Sequence, residues 1–487
     1  MTIVAPAVSE RHAPELPAHR DGNVLRWLTA YTASMAGDSV YYIALSWAAV
    51  RTGTPSQAGL VLAAGAVPRA LLMLGGGVIA DRFGPRRVVI GSDAVRCAAV
   101  LAVAGLLYVT RPGLWPLALL GLVFGAVDAV FMPAIGALPA RLTARGQLAR
   151  VQGMRGLAIR FASITGAPLG GLAVAIGGAA AAFAAAGLLI AVSVPLLITV
   201  RVREPGVDGR ADRVDPADRA DRADRADRAS LAQRVDSADR VGPESRAESA
   251  GPADRAAPAG LADAADRAAP ADRADATDPS PADRGSARRD LTDGLRYIRR
   301  HRVLAPLMLA IALGDLGFVG PLNVGLTLLA DERGWGASGM GWVLAGFGTG
   351  AGAVSLLLTL RGRLPHAGRV AAYAILAGSV AIGALAFAPS VLVAVGTALL
   401  VGLLAGLSGA LCGALLQTQT EPACLGRVTA VSGLVSLGFA PLSMPLSAAA
   451  IGAWGTGPVF VVSAVVCGLG GVVALCAKDL RRAELPR

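Results

Sequence analysis

About twelve stretches of this chain stay apolar for roughly twenty residues at a time, and nothing else in the sequence constrains the fold as tightly. A helix needs about 20 such residues to cross a hydrocarbon core roughly 30 Å thick. No water is available there to satisfy an open backbone, so runs of this length read as helices. They fall into two groups of six: 25–50, 58–80, 88–109, 114–138, 151–174 and 179–200, then 304–330, 339–360, 370–388, 391–416, 428–453 and 459–477. Composition agrees. Charged residues make up 16% and hydrophobic ones 54%, whereas a soluble domain is about a quarter charged. The 61 glycines suit helices that approach closely in lipid, where packing rather than water exclusion drives association. The expectation is an all-α integral membrane protein with twelve transmembrane helices in two six-helix bundles.

The net charge of +11 is placed in short segments between the runs. One set of connections carries Arg82, Arg86 and Arg87, then Arg141, Arg145 and Arg150, then Arg361, Arg363 and Arg369, then Arg427. Both ends are basic as well, whereas the opposite connections hold only Arg51, Arg111 and the mixed Asp331-Glu332-Arg333. Basic loops face the cytoplasm. Both termini are therefore expected inside a plasma membrane, with an even number of spans. The same distribution removes the need for a nucleic-acid partner. Cys97, Cys412, Cys424, Cys467 and Cys476 form no CxxC pair and read as small apolar fillers, with neither a disulfide framework nor a metal site. The polar, Pro-containing start has no signal-peptide pattern.

The expected organisation runs as follows: a disordered cytoplasmic tail over 1–22, a six-helix bundle over 23–200, a linker over 201–288, an interfacial helix over 289–302, a second bundle over 303–477 and a tail over 478–487. The linker is built from Ala, Asp, Arg and Pro, in triplets such as Ala220-Asp221-Arg222. It has too little apolar surface to offset the entropy of ordering, so it is expected to be a disordered tether. Asp290 to Arg302 reads as amphipathic, with Leu291, Leu295 and Ile298 on one face.

The two blocks repeat each other. Gly37-Asp38 recurs as Gly314-Asp315, 277 residues on. At the same offset Arg150-Val151 recurs as Arg427-Val428, Gly156 as Gly433, Pro168 as Pro445 and Gly178 as Gly455. An even helix count per block gives the copies the same orientation.

The second run ends in Gly77-Val78-Ile79-Ala80-Asp81-Arg82-Phe83-Gly84-Pro85-Arg86-Arg87. This resembles the G-x-x-x-D-R-x-G-x-R-R loop of the major facilitator superfamily, at the place where that family carries it, with Pro85 as a departure. The resemblance covers both six-helix blocks and implies two bundles related as parallel repeats around a central path, with alternating access. It also implies a latch: Asp81 would face the N-terminus of span eleven near Arg427, where the helix dipole favours an anion, while Gly84 turns the chain and Arg82, Arg86 and Arg87 anchor it. The alternative is a loop that only sets topology. The matching loop over 361–369 lacks the Asp.

Ionisable residues inside spans are costly and are functional candidates. Asp38, Arg69, Asp128 and Arg160 fall mid-span in the first block, and Asp315 in the second, while Asp93 and Arg96 read as lying near the end of span three. One reading pairs Asp38 with Arg69 and Asp128 with Arg160 as structural ion pairs. The other has Asp38 or Asp128 take up a proton during a transport cycle, or has Arg69 or Arg160 hold an anionic substrate. Gly166-Ala167-Pro168-Leu169-Gly170-Gly171 resembles the G-P-x-x-G-G element of the family's drug and metabolite antiporters. Around Asp128, Gly125 to Ala134 resembles the siderophore- and macrolide-exporter branch. With no phosphate-binding loop and no His or Cys cluster, no enzyme, ATP-driven pump, cofactor or metal is expected. What remains is a proton-coupled exporter of a small amphipathic molecule, working as a monomer in the bilayer. The alternatives are a nutrient importer on the same fold and a non-transporting receptor or scaffold.

Overall fold

The structure, a computed structural model, describes residues 20–110, 112–143, 147–202, 292–361, 366–421 and 424–484. The expected N-terminal tail and Ala-Asp-Arg linker fall almost wholly outside these residues, as does the side chain of Asp81.

The described residues are helical nearly throughout. In the first block they form α1 (Gly22–Thr52), α2 (Pro55–Phe83), α3 (Pro85–Val109) and α4 (Trp115–Leu142). A continuous helical stretch, Leu148–Thr199, follows. At 1.5 Å per residue, its 52 residues would run about 78 Å, more than twice the hydrocarbon core. It is broken where a turn is needed. Gly177 leaves helical geometry and Gly178 adopts φ +71°, ψ −168°, a conformation closed to most L-residues. We number the two parts α5 (148–176) and α6 (179–199). The repeat partner Gly455 has φ +82°, ψ 170° at the corresponding corner of the second block. That block comprises α7 (Leu304–Glu332), α8 (Gly336–Arg361), α9 (Ala367–Leu385), α10 (Val391–Thr418), α11 (Leu425–Trp454) and α12 (Thr456–Cys476).

Ten helices are long and apolar enough to cross a membrane by composition alone, two short of the expected twelve. One shortfall is α5 and α6 being joined as a single stretch. The other is α1, which carries Arg26, Asp38 and Arg51 along with several hydroxyl side chains. It is buried on most of its surface, and a helix wrapped by other helices need not be as apolar as one facing lipid. Elsewhere Leu71, Val380, Leu392 and Leu446 stand more than two-thirds exposed, as lipid-facing residues would.

Helix packing is duplicated like the sequence. In the first block α2 packs on α4, and α3 on α4 and the α5–α6 stretch; in the second α8 packs on α10, and α9 on α10 and α12. The close approaches match. A β-carbon at Gly125 would lie 1.9 Å from the Gly65 carbonyl oxygen across α2 and α4, and one at Gly402 would lie 2.0 Å from the Phe347 carbonyl oxygen across α8 and α10. The blocks join through α2 against α11 and α5 against α8, pairs that exchange when the halves are swapped.

Both ends of the described chain lie on one side of the bundle. The Asn23 side chain donates to the Arg201 carbonyl (2.6 Å) and accepts from its N–H (2.8 Å), and Arg86 donates to the last carbonyls of α6 at Leu197 and Ile198. The Gly368 N–H bonds the Ala483 carbonyl at 3.2 Å. On the far side Arg51, at the end of α1, reaches Asp331 on α7 at 3.2 Å, and Thr456 donates to Glu332. The halves touch on that far side and part toward the chain ends. Along α5 and α8 a β-carbon at Gly341, Gly348 or Gly352 would stand 2.5, 3.4 and 3.8 Å from its nearest neighbour across the seam. Near the chain ends Gly75, Gly77, Gly156 and Gly433 face open space.

The helical stretch 292–300 packs against α11, with Gly294 beside Arg427 and Val431, and Ile298 is buried. His301 Nδ1 accepts from the Val303 and Leu304 N–H groups (both 3.2 Å), capping α7.

Candidate functional site

Arg96 sits at the centre of the first bundle with no exposed surface. Because α3 starts at Pro85, Arg96 lies eleven residues in. At 1.5 Å per residue that is about 16 Å, halfway through a 30 Å core, and not near the membrane surface as the sequence suggested. Its Nη1 donates to Asp38 on α1 (2.8 Å) and Asp128 on α4 (3.3 Å). Its Nη2 donates to Asp93, one turn back on α3, and to Ser34 of α1 (3.2 Å). Ser34 and Ser193 both donate to Asp93, tying in α6. The guanidinium carbon stands 4.1 Å from the centre of the Phe131 ring, a cation–π contact in a dry environment.

This arrangement corrects the expected ion pairs. Asp38 pairs with Arg96 rather than Arg69, and Asp128 pairs with Arg96 rather than Arg160. A planar guanidinium with five donors can bridge several carboxylates at once, which is what Arg96 does. Even so, Asp38 Oδ1 and Arg96 Nε are buried without a hydrogen-bond partner.

Arg69 and Arg160 go elsewhere. Both line a cavity of about 270 Å³ between the two bundles. Its first-block wall carries the two arginines with Ser39, Tyr42, Ser46 and Ser163, set among apolar residues such as Ile43, Leu62 and Phe124, and Arg69 Nη1 lies 3.5 Å from the Tyr42 hydroxyl. Its second-block wall is apolar apart from Asn323: Leu322, Met340, Leu344, Phe347 and Met444. No carboxylate lines the cavity among the described residues. Tyr41 and Phe124, stacked with ring centres 3.7 Å apart, contribute to its floor.

The second-block wall is shaped by a defect in α7. Between Leu304–Gly320 and Leu326–Glu332 the helix widens into a π turn, Pro321–Gly325. The turn begins at Pro321, which has no N–H to offer the helix ladder. Just before it, the Ser443 hydroxyl of α11 accepts from the Gly320 N–H (3.0 Å) and donates to the Leu316 carbonyl (3.1 Å). Gly320 is required for that approach, since a β-carbon there would lie 2.0 Å from Ser447 Oγ. The widened turn carries Leu322 and Asn323 to the cavity, and such turns often mark functional positions.

Other expected residues are spread out. Asp315, the repeat partner of Asp38, accepts a hydrogen bond from Ser436 (2.6 Å) and has no ion pair among the described residues. Gly84 makes the α2–α3 turn at φ +81°. Arg82 and Arg87 are exposed, and Gly77 lies in the last turns of α2. In the Gly166–Gly171 element the helix continues through Pro168, and its glycines serve contact. Gly166 and Gly170 abut α1, and Gly171 abuts Ala337 at the start of α8. The expected Asp81–Arg427 latch cannot be traced because the Asp81 side chain lies outside the described residues. Ser193 and Ser443 did not stand out in the sequence, and Asp93 and Arg96 were noticed only as charges near the end of span three. Asp93 and Arg96, three apart on one helix, share a face, and that spacing was the available signal.

The chain is similar to known proteins at three levels. The "Multidrug efflux pump Tap" of Mycobacterium bovis and that of Mycobacterium tuberculosis are each 31% identical to it over 170 residues, 31% of this chain and 38% of the relative's length. Among solved structures, a POT family transporter in complex with 5-aminolevulinic acid superposes with TM-score 0.62 at 10% identity, covering 94% of this chain and 96% of that one. The nucleoside transporter NupG gives 0.59 at 12%, covering 95% and 100%. The inward-open xylose transporter XylE from E. coli gives 0.59 at 12%, covering 92% and 94%. At such identities these likenesses establish the fold alone. The family model described as Major Facilitator Superfamily matches residues 27–436, most of the chain. The chain belongs to the major facilitator superfamily.

Proposed function

We propose that this chain is a proton-coupled secondary transporter, a carrier rather than an enzyme, that exports a small amphipathic molecule across the plasma membrane by alternating access. The observation that carries the reading is the central cavity, walled by α1, α2, α4 and α5 of one bundle and α7, α8 and α11 of the other. Rocking the bundles about the seam would open it to either side in turn, and the seam is closed on one side and parted on the other. One chain supplies both walls, so a monomer suffices. Both chain ends are placed in the cytoplasm by the charge distribution, which makes the parted side the cytoplasmic one. Twelve crossings follow once α1 is counted and α5 and α6 are separated.

Export is supported by the similarity to the Tap pumps, which covers a minority of their length. The proton role is assigned to the Arg96 cluster. Three carboxylates share one guanidinium there, and Asp38 Oδ1 has no partner, so the cluster can accept a proton without burying net positive charge. It joins α1, α3, α4 and α6, so a proton arriving there alters how those helices hold together. The Asp81–Arg427 contact is retained as a latch of the outward-facing state. Asp315 is a second, weaker candidate for a proton site.

The test is accumulation of a fluorescent amphipathic dye in cells with and without the gene. Lower accumulation that an uncoupler abolishes, and that Asp38→Asn reduces in a protein of normal abundance, supports the reading. Higher accumulation with the gene would make the chain an importer, and dye levels indifferent to the gene would leave it without the proposed export. Full export by both Asp38→Asn and Asp128→Asn would remove the proton role.

A further inference from the structure

We infer that the molecule carried through the central cavity is an amphipathic acid, with its anionic group at Arg69 and Arg160 and its apolar body against α7, α8 and α11. This rests on the cavity being the transport site. Charge is divided unevenly between its walls. Every charged side chain on the lining is cationic and comes from the first bundle, on α2 and α5. The opposite wall offers Met340, Leu344, Phe347 and Met444, with Asn323 as its polar atom set. A ligand matching both walls has a charged end and an apolar end, and the sign of the charged end is negative.

Neither arginine has its charge met in the way Arg96 does. Arg160 has no ion pair or hydrogen bond among the described residues, and Arg69 reaches only the Tyr42 hydroxyl at 3.5 Å. Asp38, Asp93 and Asp128 are drawn to Arg96 and do not line the cavity. Neither guanidinium has a carboxylate in contact among the described residues, so most of its donors are unused, and a carboxylate or sulfonate entering between the two would complete charge-assisted, bidentate contacts. A cationic amphiphile of the same shape would meet two like charges. Phe347 and Met444 supply an adaptable apolar surface for the body of the molecule.

The experiment uses the full-length protein in lipid nanodiscs and three matched probes: dansylglycine as the acid, its neutral amide, and dansylethylenediamine as the cation. The acid is expected to bind at least about tenfold tighter than the amide, equivalent to about 1.4 kcal/mol. Arg69→Gln with Arg160→Gln should lower the acid to the level of the amide and leave the amide unchanged. The Lys/Lys variant, which keeps both charges, should retain part of the preference. Thermal unfolding verifies that each variant is folded. Equal binding of all three probes, no binding of the acid, or an acid affinity indifferent to the double Gln variant overturns the substrate class and leaves the cavity reading standing. A Ser163→Trp variant, which fills the cavity, separates the other failure. Undiminished acid binding there would show that the cavity is not the site, and both readings would fall together.

Discussion

Replacing Arg96 by methionine removes one positive charge from among three carboxylates while keeping most of the side-chain volume. The guanidinium is wholly buried and holds Asp38 at 2.8 Å, Asp128 at 3.3 Å and Asp93 in direct contact. Two unit charges about 4 Å apart attract by roughly 4 kcal/mol at an effective dielectric of about 20. The cost of desolvating four charged groups offsets much of that attraction in the intact cluster. Removing the cation alone leaves the cost without the attraction, and such single removals destabilise by about 3–5 kcal/mol. Arg96→Met is therefore expected to lose about that much in a denaturant titration in micelles, followed by tryptophan fluorescence. Arg96→Lys should fall between, since an ammonium lacks the planar fork that spans three acceptors. Adding Asp38→Asn, Asp93→Asn and Asp128→Asn to Arg96→Met removes every charge and should recover most of the loss, because neutral packed replacements of buried ion clusters are commonly tolerated. A methionine variant within about 1 kcal/mol of the parent would refute the reasoning, as would a quadruple variant no more stable than the single one.

Three further outcomes follow from the packing. Ser443→Ala leaves the Gly320 N–H and Leu316 carbonyl without the bridging hydroxyl, at an expected cost of about 1–3 kcal/mol and with faster amide exchange at Gly320; unchanged stability and exchange would mean that α7 closes up by itself. Gly125→Ala drives a methyl group into the Gly65 carbonyl, 1.9 Å away, and should separate α2 from α4 at a cost of about 1–3 kcal/mol or more, read as a lowered unfolding temperature, whereas Gly136→Ala, facing open space on the same helix, should not. The half-exposed Arg51–Asp331 pair contributes at most about 1 kcal/mol to stability. Arg51→Glu should nevertheless shift the bundles toward far-side opening, measured as spin-label separation between α1 and α7, and adding Asp331→Arg should reverse it.

Much of the architecture was legible because lipid admits few solutions. Run length named the helices, basic loops set the expected sidedness, and the 277-residue offset named the repeat down to the paired corners at Gly178 and Gly455. The count of membrane helices was harder to confirm from composition, because α1 is surrounded by protein and tolerates polar residues. The site was legible as a set of residues and not as a set of partners. Asp38, Arg69, Asp128 and Arg160 stand out in the sequence as charges within apolar runs, but partnership depends on depth and on helix rotation. The π turn starts at Pro321, a helix-disturbing residue that the sequence does show, whereas the Ser443 hydroxyl beside it, a meeting across 123 residues, was not legible.

On the proposed mechanism, one cavity between the bundles is reached from each side of the membrane in turn. Ser163→Cys, placed on the cavity wall in a background lacking the five native cysteines, tests it directly with a membrane-impermeant thiol reagent. Applied to right-side-out vesicles and, separately, to inverted ones, the reagent should label the introduced thiol from both sides. A saturating acid probe should slow both reactions. Labelling from one side only, under every condition of pH and ligand, would contradict the account.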